Sequence, residues 1–131
     1  MGNLTKINYR GYAKQLLVFD GLEFERNASP MDIDGVIEWE DRKIILIEVK
    51  KKGTKVPYGE RVTLQRMVHD FSVAGKDAVA IVCDHRVFNA SEDVRVADCV
   101  IRELYSSYDL RWRPPKKAMT VEQFVRLFLY Y

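Results

Sequence analysis

Between residues 32 and 50, in "DIDGVIEWEDRKIILIEVK", carboxylates stand at Asp32, Asp34 and Glu48, and Lys50 follows two residues after Glu48. Glu48 and Lys50 end a run, Ile44-Ile45-Leu46-Ile47, that is too apolar to be left in water, and burying a charge costs several kcal/mol unless something compensates it. Side chains alternate faces along a strand, so Ile44, Leu46, Glu48 and Lys50 point one way while Ile45, Ile47 and Val49 point the other. The same period puts Asp32, Asp34, Val36 and Glu38 on one face of the preceding run. An antiparallel hairpin brings the beginning of that run beside the end of the next, where Asp34 or Asp32 meets Glu48 and Lys50. Two carboxylates held close together are explained by a divalent cation between them, and hard oxygen ligands suit Mg²⁺ and Mn²⁺. A lysine alongside would orient a water or stabilise charge developing on a phosphate. On spacing alone, the same charges also suit a strand end that emerges into solvent.

The elements that must position these residues can be read from periodicity. Tyr12, Leu16 and Phe19, flanked by Ala13 and Leu17, recur at helical spacing until Asp20-Gly21, which predicts a first helix over 12–19. "LEFERN" alternates Leu22, Phe24 and Arg26 against Glu23 and Glu25, and reads as a strand closed by "NASP". "DIDGVIEW" and "KIILIEVK" follow as two strands joined by Glu40-Asp41-Arg42, short enough for a hairpin. After "GTKVPYG", Leu64, Met67, Val68, Phe71 and Ala74 mark a helix ending at Gly75, and "DAVAIVCD" is a buried strand behind it. The order is α-β-β-β-α-β. "DCVIRELYSS" and "LRWRP" add one or two strands, and Thr120 with Gln123 forms a capping box opening a last helix through "VEQFVRLFLYY".

The 131 residues suit one domain with a self-sufficient core. A net charge of +2 with 31% charged residues excludes a protein that coats nucleic acid by charge alone, so any such binding must be local. The local basic cluster is Lys50, Lys51, Lys52 and Lys55 with Arg61 and Arg66. Its plain reading is a solvated loop; beside a metal it would neutralise phosphates. Trp39, Tyr58 and Trp112 could stack on bases or pack at the core rim. Cys83 and Cys99 lie in apolar runs without a CxxC pair and read as buried free thiols of a reducing compartment. No stretch approaches the ~20 apolar residues of a membrane span, and the start has no apolar leader, so a cytoplasmic location is expected.

Acid, hairpin loop, apolar run, Glu-x-Lys and following helix, in that order, resemble the PD-(D/E)xK nuclease superfamily of restriction endonucleases, archaeal junction resolvases and lambda-exonuclease-type enzymes. The signature here is "SPMDIDGVIEWEDRKIILIEVKKKG", and the resemblance spans about residues 9–86. Its detail is most similar to small nuclease-like proteins of phages and prophages. It implies a restriction-endonuclease-like αβββαβ core with a mixed sheet flanked by helices, extended over 87–131 by the C-terminal strands and helix. It implies an Mg²⁺- or Mn²⁺-dependent deoxyribonuclease of the endonuclease kind, with DNA as partner. Carried over residue by residue, Asp34 and Glu48 bind the metal, the Val49 carbonyl completes its coordination, Lys50 orients the attacking water, and Asp32 is a further candidate ligand. Lys51, Lys52, Lys55, Arg61 and Gln65 would contact nucleic acid; Gln65 or Glu60 would match the residue that assists catalysis from the following helix. The family's acid on the first helix has no counterpart between Arg10 and Phe19, which leaves open a catalytically silent binding or interaction module on the same fold.

The last helix carries Val121, Phe124, Val125, Leu127, Phe128, Leu129, Tyr130 and Tyr131, and so has almost no polar face. A helix apolar on nearly every side must be buried. The expectation is a homodimer with Phe124, Phe128 and Tyr131 near the contact, against the alternative that the helix fills a groove beside "VIRELY".

Overall fold

The computed structural model describes residues 17–131. The chain divides into a unit up to Met31 and a second over Asp32–Tyr131. In the first, the strand expected at "LEFERN" is replaced by a 3-10 turn, Glu25–Asn27. Arg26 adopts a left-handed conformation (φ 60°) and the Phe24 N–H donates to the Ala28 carbonyl at 2.9 Å. The backbone closes on itself, and Leu22 and Phe24 stay exposed. Their alternation had no sheet on which to be buried. The helix expected at 12–19 falls mostly outside the described residues; Leu17, Val18 and Phe19 have no regular structure.

The second unit is α/β. Its strands are β1 (Gly35–Trp39), β2 (Lys43–Lys51), β3 (Asp77–His85), β4 (Val100–Ser106) and β5 (Trp112–Arg113), arranged in that order in one mixed sheet. β1 and β2 form the expected hairpin, from Gly35↔Ile47 to Trp39↔Lys43. Its turn places Glu40 (φ 50°) and Asp41 (φ 58°) in succession in the left-handed region. That is the geometry of a type I′ turn, whose twist matches the strands it joins. The Arg42 N–H closes it on the Trp39 carbonyl at 2.9 Å, and the Asp41 N–H donates to Glu38 Oε2 at 2.7 Å.

From β2 the chain passes through helix α1 (Tyr58–Val73) to β3, which runs parallel to β2 from Lys43↔Asp77 to Lys51↔His85. Ile44 to Ile47 and Ala78 to Cys83 are all buried, as parallel strands covered on both faces require. Gly75 (φ 91°) ends the α1 segment in the left-handed conformation that favours glycine. β4 returns antiparallel to β3 with a register shift at Val82/Cys83, and β5 pairs with β4 at Leu104↔Arg113 and Tyr105↔Trp112.

α1 buries Leu64 and Val68 on one side of the sheet. The other side is covered by helix α2 (Val121–Tyr130), whose Val121, Phe124, Val125, Phe128 and Leu129 pack on Ile45, Ile47, Val79, Ile81 and Ile101. This corrects the expectation of a helix without a polar face. Glu122, Gln123 and Arg126 are exposed, and Phe124 and Phe128, expected near a dimer contact, are engaged by the chain's own sheet. The capping box is present: the Gln123 N–H donates to Thr120 Oγ1 at 3.2 Å and the Thr120 N–H to Gln123 Oε1 at 2.9 Å. At the other end Lys43 Nζ donates to the Phe128 carbonyl at 2.6 Å. No helix among the described residues is long and apolar enough to cross a membrane.

Candidate active site

The hairpin sets Asp34 one residue beyond the Gly35↔Ile47 pair, opposite Glu48. One oxygen of Asp34, Oδ2, accepts the Val49 N–H at 2.7 Å. Asp34 thus reaches across to the strand that carries Glu48 and Lys50. Glu48 is only 5% exposed. Its Oε1 lies 3.7 Å from Lys50 Nζ, while its Oε2 is buried with no hydrogen-bond partner among the described residues.

Lys50 is held from the helix side by Glu60, whose Oε2 is 2.9 Å from Nζ. The sequence left Glu60 and Gln65 as alternatives, and of these two it is Glu60 that meets Lys50. A parallel crossover starts its helix over the carboxyl end of the strand it leaves, so the first turn of α1 hangs above Lys50 and carries Glu60 to it. Gln65, further along α1, accepts the Trp112 Nε1–H at 3.1 Å instead.

Charge in this cluster is unbalanced. Burial pushes the Glu48 carboxyl up to about 7, reinforced by a side-chain hydrogen bond to Asp34 and by the charges of Asp34 and Glu60, and opposed by Lys50. Burial works against the Lys50 ammonium, yet its bond to Glu60 and the charges of Glu60, Glu48 and Asp34 outweigh that and raise its pKa. Three acids face one lysine. The excess negative charge and the unpartnered Glu48 oxygen suit a hard cation, with Glu48 and Asp34 as oxygen ligands. The set is a pair: among the described residues no group of three or more His, Cys, Asp or Glu side chains is arranged to hold a metal. Asp32 is exposed, beyond the last paired rung of the hairpin.

Around the cluster, Asp84 stands opposite Lys50 in the β2–β3 ladder and accepts Arg102 Nε–H at 2.9 Å. Arg102 also donates to the Thr54 carbonyl at 2.6 Å, latching the turn after β2 to β4. Its position at the register shift between β3 and β4 has no signature in the sequence. Arg61 pairs with Glu103 and lies over the Trp112 ring at 5.0 Å. Of the five residues expected on nucleic acid, Arg61 and Gln65 are therefore engaged with β4 and β5, whereas Lys51, Lys52 and Lys55 are exposed. Trp112 also packs on Tyr105, and Trp39 meets Tyr130 edge-on. His69 is exposed beside Asp70.

Comparison of the chain with protein-family models, with curated proteins and with solved structures gives no match.

Proposed function

We propose that the chain is a metal-dependent nuclease that hydrolyses phosphodiester bonds of DNA on a restriction-endonuclease-like core. The observation that carries this reading is the buried Glu48 carboxylate, one oxygen without a partner, beside Asp34 and next to a lysine clamped by Glu60. The order of hairpin, Glu-x-Lys strand, crossover helix and parallel strand supports it. Asp34 and Glu48, with the Val49 carbonyl, would hold Mg²⁺ or Mn²⁺. Bound there, such an ion supplies Lewis acidity at a phosphoryl oxygen and acidifies water. Lys50 orients the attacking water and offsets charge on the phosphate, and Glu60 keeps the ammonium aimed. Endonucleolytic cutting, a role in a phage or other mobile element, and action in the cytoplasm, where Cys83 and Cys99 stay thiols, belong to the same proposal. So does a homodimer, which would hold two such sites at a fixed separation.

The test is cleavage of linear, circular, single-stranded and branched DNA with Mn²⁺. Asp34→Asn and Glu48→Gln should each lower cleavage on the order of a hundredfold or more without unfolding the protein. Lys50→Ala should lose turnover more than metal affinity. Activity that survives Asp34→Asn but not Asp32→Asn would move the ligand to Asp32; activity indifferent to all four substitutions ends the nuclease reading. A second reading, a silent nucleic-acid-binding or protein-interaction module, is favoured by the pair of metal-facing carboxylates where a third is wanting. Mn²⁺ should raise the melting temperature of an active-type site and leave that of a silent module unchanged.

A further inference from the structure

We propose that the surface beyond the carboxyl ends of β2 and β3 binds an unpaired nucleic-acid strand, with Phe88 and Tyr58 as stacking platforms and Lys51, Lys52 and Lys55 along the phosphates. The inference takes its biological sense from the nuclease reading, which it narrows to single-stranded or frayed substrates. Its binding test is independent of cleavage.

Residues 50–58, "KKKGTKVPY", carry four lysines and no acid, a concentration of charge that the net +2 of the chain conceals. The segment leaves the sheet at the end where β2 and β3 run parallel, the side on which open α/β sheets receive ligands. Lys52 is fixed there by its backbone, the N–H donating to the His85 carbonyl at 2.9 Å. Three residues past His85, Phe88 is 67% exposed and has the Lys51 ammonium 4.9 Å from its ring centroid. A cation beside an exposed ring is the pairing that meets phosphate and base together. At the far end of the segment Tyr58 is 81% exposed, two residues before Glu60.

Trp39 and Trp112, the other aromatic candidates, are packed against Tyr130 and Tyr105. Among the described residues, Tyr58 and Phe88 are rings that face solvent near these lysines. Bases of a duplex are stacked on each other and cannot stack on them, whereas an unpaired strand offers a free face at each base. Duplex DNA would use the lysines alone.

The experiment measures fluorescence anisotropy of labelled oligothymidylate, oligouridylate and a blunt hairpin duplex on the full chain, without divalent metal so that nothing is cut. Both unpaired strands should bind more tightly than the duplex. Phe88→Ala and Tyr58→Ala should each weaken oligothymidylate binding about tenfold, the order of one lost base–aromatic stack, and leave duplex binding unchanged. Phe88→Trp should restore it. Both positions are exposed, and circular dichroism of each variant confirms that the fold is kept. Duplex binding equal to or tighter than that of the unpaired strands, or alanine variants that bind oligothymidylate like the wild type, overturns the proposal. Strand binding as expected in a protein that cuts nothing with Mn²⁺ would keep this surface and discard the nuclease.

Discussion

Glu48 is where a proton would compete with the metal proposed for this site. Its carboxyl is raised from 4.5 to about 7 by burial and by Asp34 and Glu60. A carboxyl with a folded pKa above its unfolded one holds its proton more tightly when folded. The stability it contributes is complete below the unfolded value and is lost as pH rises through about 7. Glu48→Gln, which cannot ionise, should therefore be more stable than metal-free wild type at about pH 8. The gain should be on the order of 1 kcal/mol, less than the whole shift because water reaches the cluster past the exposed Asp34, and should vanish near pH 4.5; urea melts across that range check it. Mn²⁺ affinity of the wild type should run the opposite way, rising with pH through about 7 as the ligand proton is displaced. Glu60→Gln should lower turnover about tenfold with metal affinity kept, and should move the alkaline limb of the pH–rate profile to lower pH, since Glu60 helps hold Lys50 charged. Asp34, Glu48 and Lys50 were legible in the sequence because a strand repeats every two residues. The contact of Glu60 with Lys50 appears only with the crossover, because its partner lies on a strand rather than along its own helix.

Among the elements, the β1–β2 hairpin, α1 and β3 could be read directly, since their apolar runs are long and end in turn residues. "LEFERN" could not: alternation marks a strand only where a sheet exists to receive it. α2 shows the reverse error, in which a composition apolar almost throughout hid a helix with an inner and an outer side. Its ends are held by polar contacts of different kinds. Thr120→Ala should remove the cap and lower stability by about 1 kcal/mol in denaturant melts. Lys43, which spans from β2 to the last carbonyls of α2, offers a positive charge where the helix dipole is negative. The lysines at the end of β2 and in the loop after it are a separate matter, because they are exposed, with Lys51 resting against the Phe88 ring. Lys51→Ala, Lys52→Ala and Lys55→Ala together should weaken DNA binding alike across sequences and flatten its salt dependence, and an unchanged slope would put the phosphate contacts elsewhere.

At the scale of the molecule, a dimer through α2 can use only what the sheet leaves uncovered: Leu127, Tyr130 and Tyr131, the last 94% exposed. Tyr130→Glu should then give a folded monomer by sedimentation, whereas Phe128→Glu, which drives a charge toward Ile45 and Val79, should unfold the chain. Wild type running as a 15.3 kDa species at tens of micromolar would end the dimer. The turn between β1 and β2 has a different use. Glu40 and Asp41 hold backbone angles that asparagine and glycine adopt at less cost, and they lie at the opposite end of the hairpin from Asp34 and Glu48. Glu40→Asn with Asp41→Gly should raise the melting temperature by about a few degrees. The Asp41 side chain gives up its ion pair with Lys76 in the exchange, but the Lys76 Nζ–Asp41 carbonyl bond, at 3.0 Å, survives it. The chain therefore holds unspent thermostability in a turn at the far end of the hairpin from the acids, a margin that an engineer could draw on to tolerate destabilising changes in the core around them.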